Sequence, residues 1–135
     1  MKRKKFNNEP AKAIVDIHRL LKECIVFENI ENEELICKNL NTIKAYKGII
    51  TDEMYSAVDD FIVRIIRPIV YDADYFDFMK RDEYGEYNEE GHFIINSDRS
   101  LEMMIFLMYE RTVELNKQLD EFASLNLYSG NKQVL

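Results

Sequence analysis

Apolar and polar positions follow a helical period along most of this chain, most clearly from Ser97 to Ala123. Leu101, Ile105, Met108, Thr112, Leu115, Leu119 and Phe122 recur at steps of three and four, which lines one face of an α-helix. Met103, Met104, Phe106, Leu107 and Tyr109 make the first half apolar nearly all round, so a central, buried helix is predicted there. Glu110, Glu114, Lys117, Asp120 and Glu121 restore a polar face in the second half. Ser97 or Asp98 suits the N-cap. The apolar surplus from Met103 to Tyr109 exceeds what one bundle layer needs, and a homodimer through this long C-terminal helix would cover it.

Three further helices precede it. The first is expected to start near Asn8 or Glu9, with Pro10 in its first turn, and to end around Phe27 to Asn29. Its stripe is Ile14, Ile17, Leu21 and Cys24 or Ile25. A second fits Asn32 to Lys47, with Leu35, Ile36, Leu40 and Ile43 inward and Gly48 ending it in a left-handed turn. The short link Gly48-Ile49-Ile50 makes it an antiparallel neighbour of the third. Thr51 caps that third helix, whose inward residues are Met54, Val58, Phe61, Ile62, Ile65 and Ile66. Pro68 must end or kink it, because proline lacks an amide proton and clashes with the preceding turn. The pattern leaves Ile69 to Met79 open between a bent helix and a loop.

The period changes between Arg81 and Asn96. Two short extended runs flank Asn88-Glu89-Glu90-Gly91, a hairpin signature, with Phe93 and Ile95 on one face of the second strand. The expected fold is therefore mainly α: one domain over residues 1–135, a bundle of four to five helices with a short β-hairpin near 82–96 before a long C-terminal helix. Residues 1–8 read as a mobile basic tail, and 129–135 as a frayed end.

Charge narrows the function. With 25 acidic and 18 basic residues the net charge is −7, which opposes broad nucleic-acid binding; Lys2 to Lys5 form the one basic run that could touch it. The longest apolar run is far too short to span a bilayer, and no signal-peptide core follows the basic start, so a cytoplasmic protein is expected. Cys24 and Cys37 lie inside helical patterns without metal spacing and read as buried, reduced thiols.

Site chemistry is sparse. His18 belongs to the core edge of the first helix, bonded to a neighbour, and His92 opens the second strand without a ligand partner. No nucleophile elbow, phosphate loop, C-x-x-C or H-E-x-x-H occurs. Carboxylates on antiparallel helices can hold Mg²⁺, as in all-α nucleotide pyrophosphohydrolases with E-x-x-E on one helix and E-x-x-D on the next. Glu28–Glu31 and Glu31–Glu34 have the first spacing, but Glu53 is followed three places on by Ser56. Glu31, Glu34, Asp52 and Asp59 are the residues such a hydrolase would use. Asp72 and Asp74 begin like a calcium loop, yet Phe76 takes the third ligand place and the required glycine is missing.

The most unusual composition runs from Tyr71 to Glu90, where acids alternate with aromatics. Tyr71, Asp72, Asp74, Tyr75, Asp77, Asp82, Glu83, Tyr84, Glu86 and Tyr87 form the candidate partner-binding set. Aromatic rings give contact area and the acid field steers a basic protein toward it. No catalytic residue and no cofactor is assigned. The expectation is a non-enzymatic interaction or regulatory module that binds a basic, nucleic-acid-binding partner. The richness in Ile, Lys, Glu and Asn fits a phage or mobile-element accessory or inhibitor protein, an association of composition alone.

Overall fold

A computed structural model describes residues 2–129, giving the backbone alone over 2–8. The element order is α1 (Lys2–Cys24), a 3-10 turn at Phe27–Asn29, α2 (Glu33–Lys44), α3 (Asp52–Phe61), a π turn at Ile62–Ile66, and α4 (Arg67–Tyr71). A second 3-10 turn at Tyr75–Met79, strands β1 (Gly85–Tyr87) and β2 (Phe93–Ile95), α5 (Asp98–Ala123) and a π turn at Ser124–Tyr128 complete it. The fold is mainly α, with four helical rods, because α3 and α4 are continuous through the π turn.

The first helix starts at Lys2, earlier than Asn8, with Pro10 inside it. The side chains of the basic run Lys2–Lys5, and residues 130–135 of the expected frayed end, lie outside the described residues. The helix also stops sooner than expected, at Cys24, and α2 is shorter than its pattern at both ends. Asn32 caps α2 by accepting the Leu35 amide at 3.1 Å, and Thr51 caps α3 by accepting that of Met54 at 3.2 Å. Gly48, at φ +93°, makes the left-handed turn between them.

Pro68 neither ends the third helix nor bends it freely. The turn before it widens, so that the Arg67 amide donates to the Ile62 carbonyl five residues back. A widened turn eases the proline ring past the preceding carbonyl, and the helix continues to Tyr71. The 69–79 segment is therefore helix up to Tyr71 and a separate 3-10 turn from Tyr75.

The core is contributed by every rod. Ile17 and Leu21 of α1 and Ile25 just past its end meet Ile36 and Ile43 of α2, Val58 and Phe61 of α3, and Leu115 and Leu119 of α5 in one cluster. Phe61 and Phe122 lie 4.6 Å apart. Asn39, the polar exception, donates to the Leu20 carbonyl at 3.0 Å and to Glu23 Oε1 at 3.1 Å, tying α2 to α1. Leu127 packs back as expected, and Leu125 stands open.

The hairpin forms where its signature lies. Gly85 pairs with Ile95, Glu86 with Ile94 and Tyr87 with Phe93, antiparallel. Asn88 closes the turn, its Oδ1 accepting the amides of Glu90 at 3.0 Å and His92 at 2.9 Å, with Gly91 at φ +83°. Asn96 then fastens the hairpin to α5: it donates to the Glu83 carbonyl at 3.0 Å and accepts the Ser100 hydroxyl.

The first half of α5 corrects the prediction of a central buried helix. Leu101 is 43% exposed, Ile105 47%, Phe106 51% and Tyr109 53%. Among its apolar residues from Leu101 to Tyr109, Met104 alone is buried, with Leu107 and Met108 half-buried. Because α1 ends at Cys24, no other described helix covers the face that α1 covers further along α5, where Asn116 donates to the Ile25 carbonyl at 3.1 Å, and Phe27 reaches only as far as Tyr109. Helical period identifies apolar positions; it does not supply the element that buries them. No helix among the described residues is long and apolar enough to cross a membrane.

Candidate interaction surface

The acidic–aromatic stretch begins where α4 stops. Asp72 leaves the helix with an extended backbone, and its Oδ1 accepts the Asp74 amide at 2.9 Å. That turn starts the 3-10 segment and throws Tyr75 and Phe76 to one side, edge to face at 5.0 Å. Both rings are half-buried against the core cluster, and the Tyr75 hydroxyl is buried without a hydrogen-bond partner among the described residues. Burial raises the Tyr75 pKa, with the Arg111 guanidinium nearby opposing it. Arg111 also stacks on Phe78, 4.1 Å from the ring centre, so α5 clamps the segment from behind.

The ten candidate residues thus separate by role. Asp72, Asp74, Asp77, Asp82, Glu83 and Glu86 are exposed, as are Tyr71 and Tyr87. Asp77 is 3.4 Å from Lys80 and Glu83 is 3.6 Å from Arg81, so the stretch's two bases already face two of its acids. Tyr75 is a support. Tyr84 is buried and is no part of an open surface: its backbone, accepting the Asn96 amide at 2.9 Å, belongs to the hairpin's fastening. Tyr87 stands out on the hairpin with its ring on Phe93 at 5.3 Å.

What the fold adds is a pocket. Asp72 and Phe76 come together with Glu31 and Glu33, which precede and open α2, over a floor of Ile30, Ile36, Ile69 and Val70. Ile30, Ile36 and Ile69 are buried, while the three carboxylate-bearing residues are exposed. Glu33 was not legible as part of this surface, because about forty residues separate it from Asp72 and only the packing of α2 against α4 joins them. Tyr71 faces elsewhere, into a cleft of about 130 Å³ between the antiparallel α2 and α3, where its hydroxyl lies 3.8 Å from Cys37 Sγ. Cys37 is half-buried there, a correction to its expected burial, while Cys24 is fully buried.

The carboxylates offered for a metal are divided between these places. Glu31 rims the acidic pocket, Asp59 lines the α2–α3 cleft beside Lys44, and Glu34 and Asp52 sit exposed in the first turns of α2 and α3. No group of three His, Cys, Asp or Glu side chains among the described residues is placed to hold a metal ion. His18 sits at the core edge, bonded to Tyr128, and His92 is exposed beside Glu90 at 3.7 Å. Comparison of the chain with protein-family models, with curated proteins and with solved structures finds no match.

Proposed function

We propose that this protein is an interaction module that grips a basic segment of a protein partner at the pocket between α2 and α4. The observation that carries the reading is the convergence of Glu31, Glu33 and Asp72 over an apolar floor closed by Phe76. A lysine or arginine is suited to such a place, since its aliphatic stem can lie on the floor while its charged head meets the carboxylates. The acids Asp74 and Asp77 continue the negative field along the 3-10 turn, and the net charge of −7 steers a cationic partner inward. A nucleic-acid-binding protein, with its basic groove, is the partner class with the most surface to offer.

The experiment is a titration of labelled Lys- and Arg-rich peptides, against uncharged peptides of equal length, at several salt concentrations. Binding should be selective for the basic peptides, weaken with salt, and vanish in the doubly reversed variant Glu33→Lys, Asp72→Lys. Melting should fall only modestly, because both sites are exposed, although Asp72 gives up its bond to the Asp74 amide and Glu33 its favourable place in the first turn of α2. Equal binding by the reversed variant removes the pocket from the reading.

A further inference from the structure

We infer that the open face of α5 pairs antiparallel with the same face of a second copy of this chain. Leu101, Ile105, Tyr109 and Val113 follow one another at four-residue steps, forming a single ridge along the helix, and all four are exposed. The ridge is palindromic about Leu107. In an antiparallel pair related by a two-fold axis there, Leu101 lies opposite the second copy's Val113, and Ile105 opposite its Tyr109.

Both ends of the ridge carry side chains of either sign, Asp98 and Arg99 at its head and Glu114 and Lys117 at its tail. Asp98 precedes it by three residues and Lys117 follows it by four, and neither makes an ion pair among the described residues. Antiparallel pairing brings Asp98 of each ridge toward the second copy's Lys117 and Arg99 toward its Glu114; parallel pairing would set like on like. Beyond Tyr109 the ridge becomes one wall of a shallow groove whose other wall is Val26 and Phe27, with Lys22 and Lys117 on its rim together with Glu28 and Asp120. The head of the second α5 would lie along this groove.

Area sets the strength of the pairing. With Phe106 beside the ridge, the open apolar face is roughly 400–500 Å² per chain. Two such faces together suit a weak, concentration-dependent pair rather than a permanent one. A membrane is a poor alternative, because a chain of net charge −7 is repelled by anionic headgroups.

The test is the mass in solution by sedimentation, over about 1–200 µM, a range that brackets the micromolar affinity expected of such an interface. A dimer is expected. Ile105→Glu should make it a monomer with unchanged helicity, and with unchanged melting at concentrations where the wild type is also monomeric, since Ile105 lies off the core. Asp98→Lys and Lys117→Asp should each weaken self-association, and the two together should restore it. A monomer across the whole range, or a dimer indifferent to Ile105→Glu, overturns the inference and leaves the face to a different partner. Loss of the dimer in Ile105→Glu without rescue by the double reversal overturns the antiparallel register.

Discussion

His18 Nδ1 and the Tyr128 hydroxyl share a hydrogen bond of 2.8 Å across 110 residues of sequence. The rings also meet edge to face, 5.4 Å between centres. This pair joins the middle of α1 to the π turn that ends α5, and so closes the bundle. Replacing Tyr128 by Phe keeps the ring and removes the bond, leaving a half-buried imidazole nitrogen unpaired. The expected cost is about 1–2 kcal/mol, seen as a lower urea midpoint at an unchanged m-value.

Two leucines of α5 should respond in opposite ways. Leu119 is wholly buried among α1, α3 and α5 residues, and Leu119→Ala should cost about 2–5 kcal/mol. Leu101→Ala, on the open ridge, should cost under about 1 kcal/mol at concentrations where the chain is monomeric. Thermal melts of both variants at low micromolar concentration check the contrast.

Gly85 is fixed by space rather than by backbone freedom. A Cβ there would stand 2.2 Å from the Ile94 carbonyl oxygen and 2.9 Å from the Phe93 ring. Gly85→Ala should therefore open the hairpin. Because neither strand contributes to the main core cluster, the bundle should survive. Amide exchange should speed up at the β1–β2 ladder while far-UV dichroism stays almost unchanged.

The thiols should differ sharply in reactivity. Burial pushes the Cys24 thiol up to about 12, so it stays protonated and shielded, whereas Cys37 is half-buried at the mouth of the α2–α3 cleft. Under native conditions iodoacetamide should label Cys37 alone, with Cys24 following only on unfolding; mass spectrometry of digested protein reads this directly.

The same shift sets a direction for alkaline pH. Below the ordinary thiol value of 9.0 both states hold the Cys24 proton, and its preference for the folded state is fully present. Above it the unfolded chain ionises and the folded chain does not, so stability should fall steadily toward about pH 12. Tyr46, raised chiefly by its hydrogen bond to Asp16, and Tyr75 and Tyr128, raised by burial, act with the same sign above their ordinary value of 10.0. Urea melts at intervals from pH 8 to 11 should show a falling midpoint, less steep in Cys24→Ala.

Much of the architecture was legible because it is local. Thr51 and Ser97 cap the helices they were expected to cap, Gly48 and Gly91 take the left-handed turns, and the hairpin pairs about Asn88–Gly91. What escaped depends on relations between distant segments. Leu101 and Ile105 read as core because their spacing is helical, yet α1 ends before it can reach them. Tyr84 read as surface because its neighbours are acids, yet the hairpin folds over it. Glu33 joined Asp72 only through packing, and Pro68 hid a widened turn that no propensity announces.

That widened turn has a consequence for how the chain can vary. A π turn holds one residue more than an α turn of the same rise, so Ile62–Ile66 is a single residue of slack in an otherwise taut rod. Loss of one residue there, together with replacement of Pro68, would let the rod close into uninterrupted α-helix, with Ile69 and Tyr71 kept on their present sides. The same loss anywhere in α1 or α2 would swing every later side chain by about 100°. Length in this protein is negotiable at one place along the α3–α4 rod, and that place lies beside the proline that made it necessary.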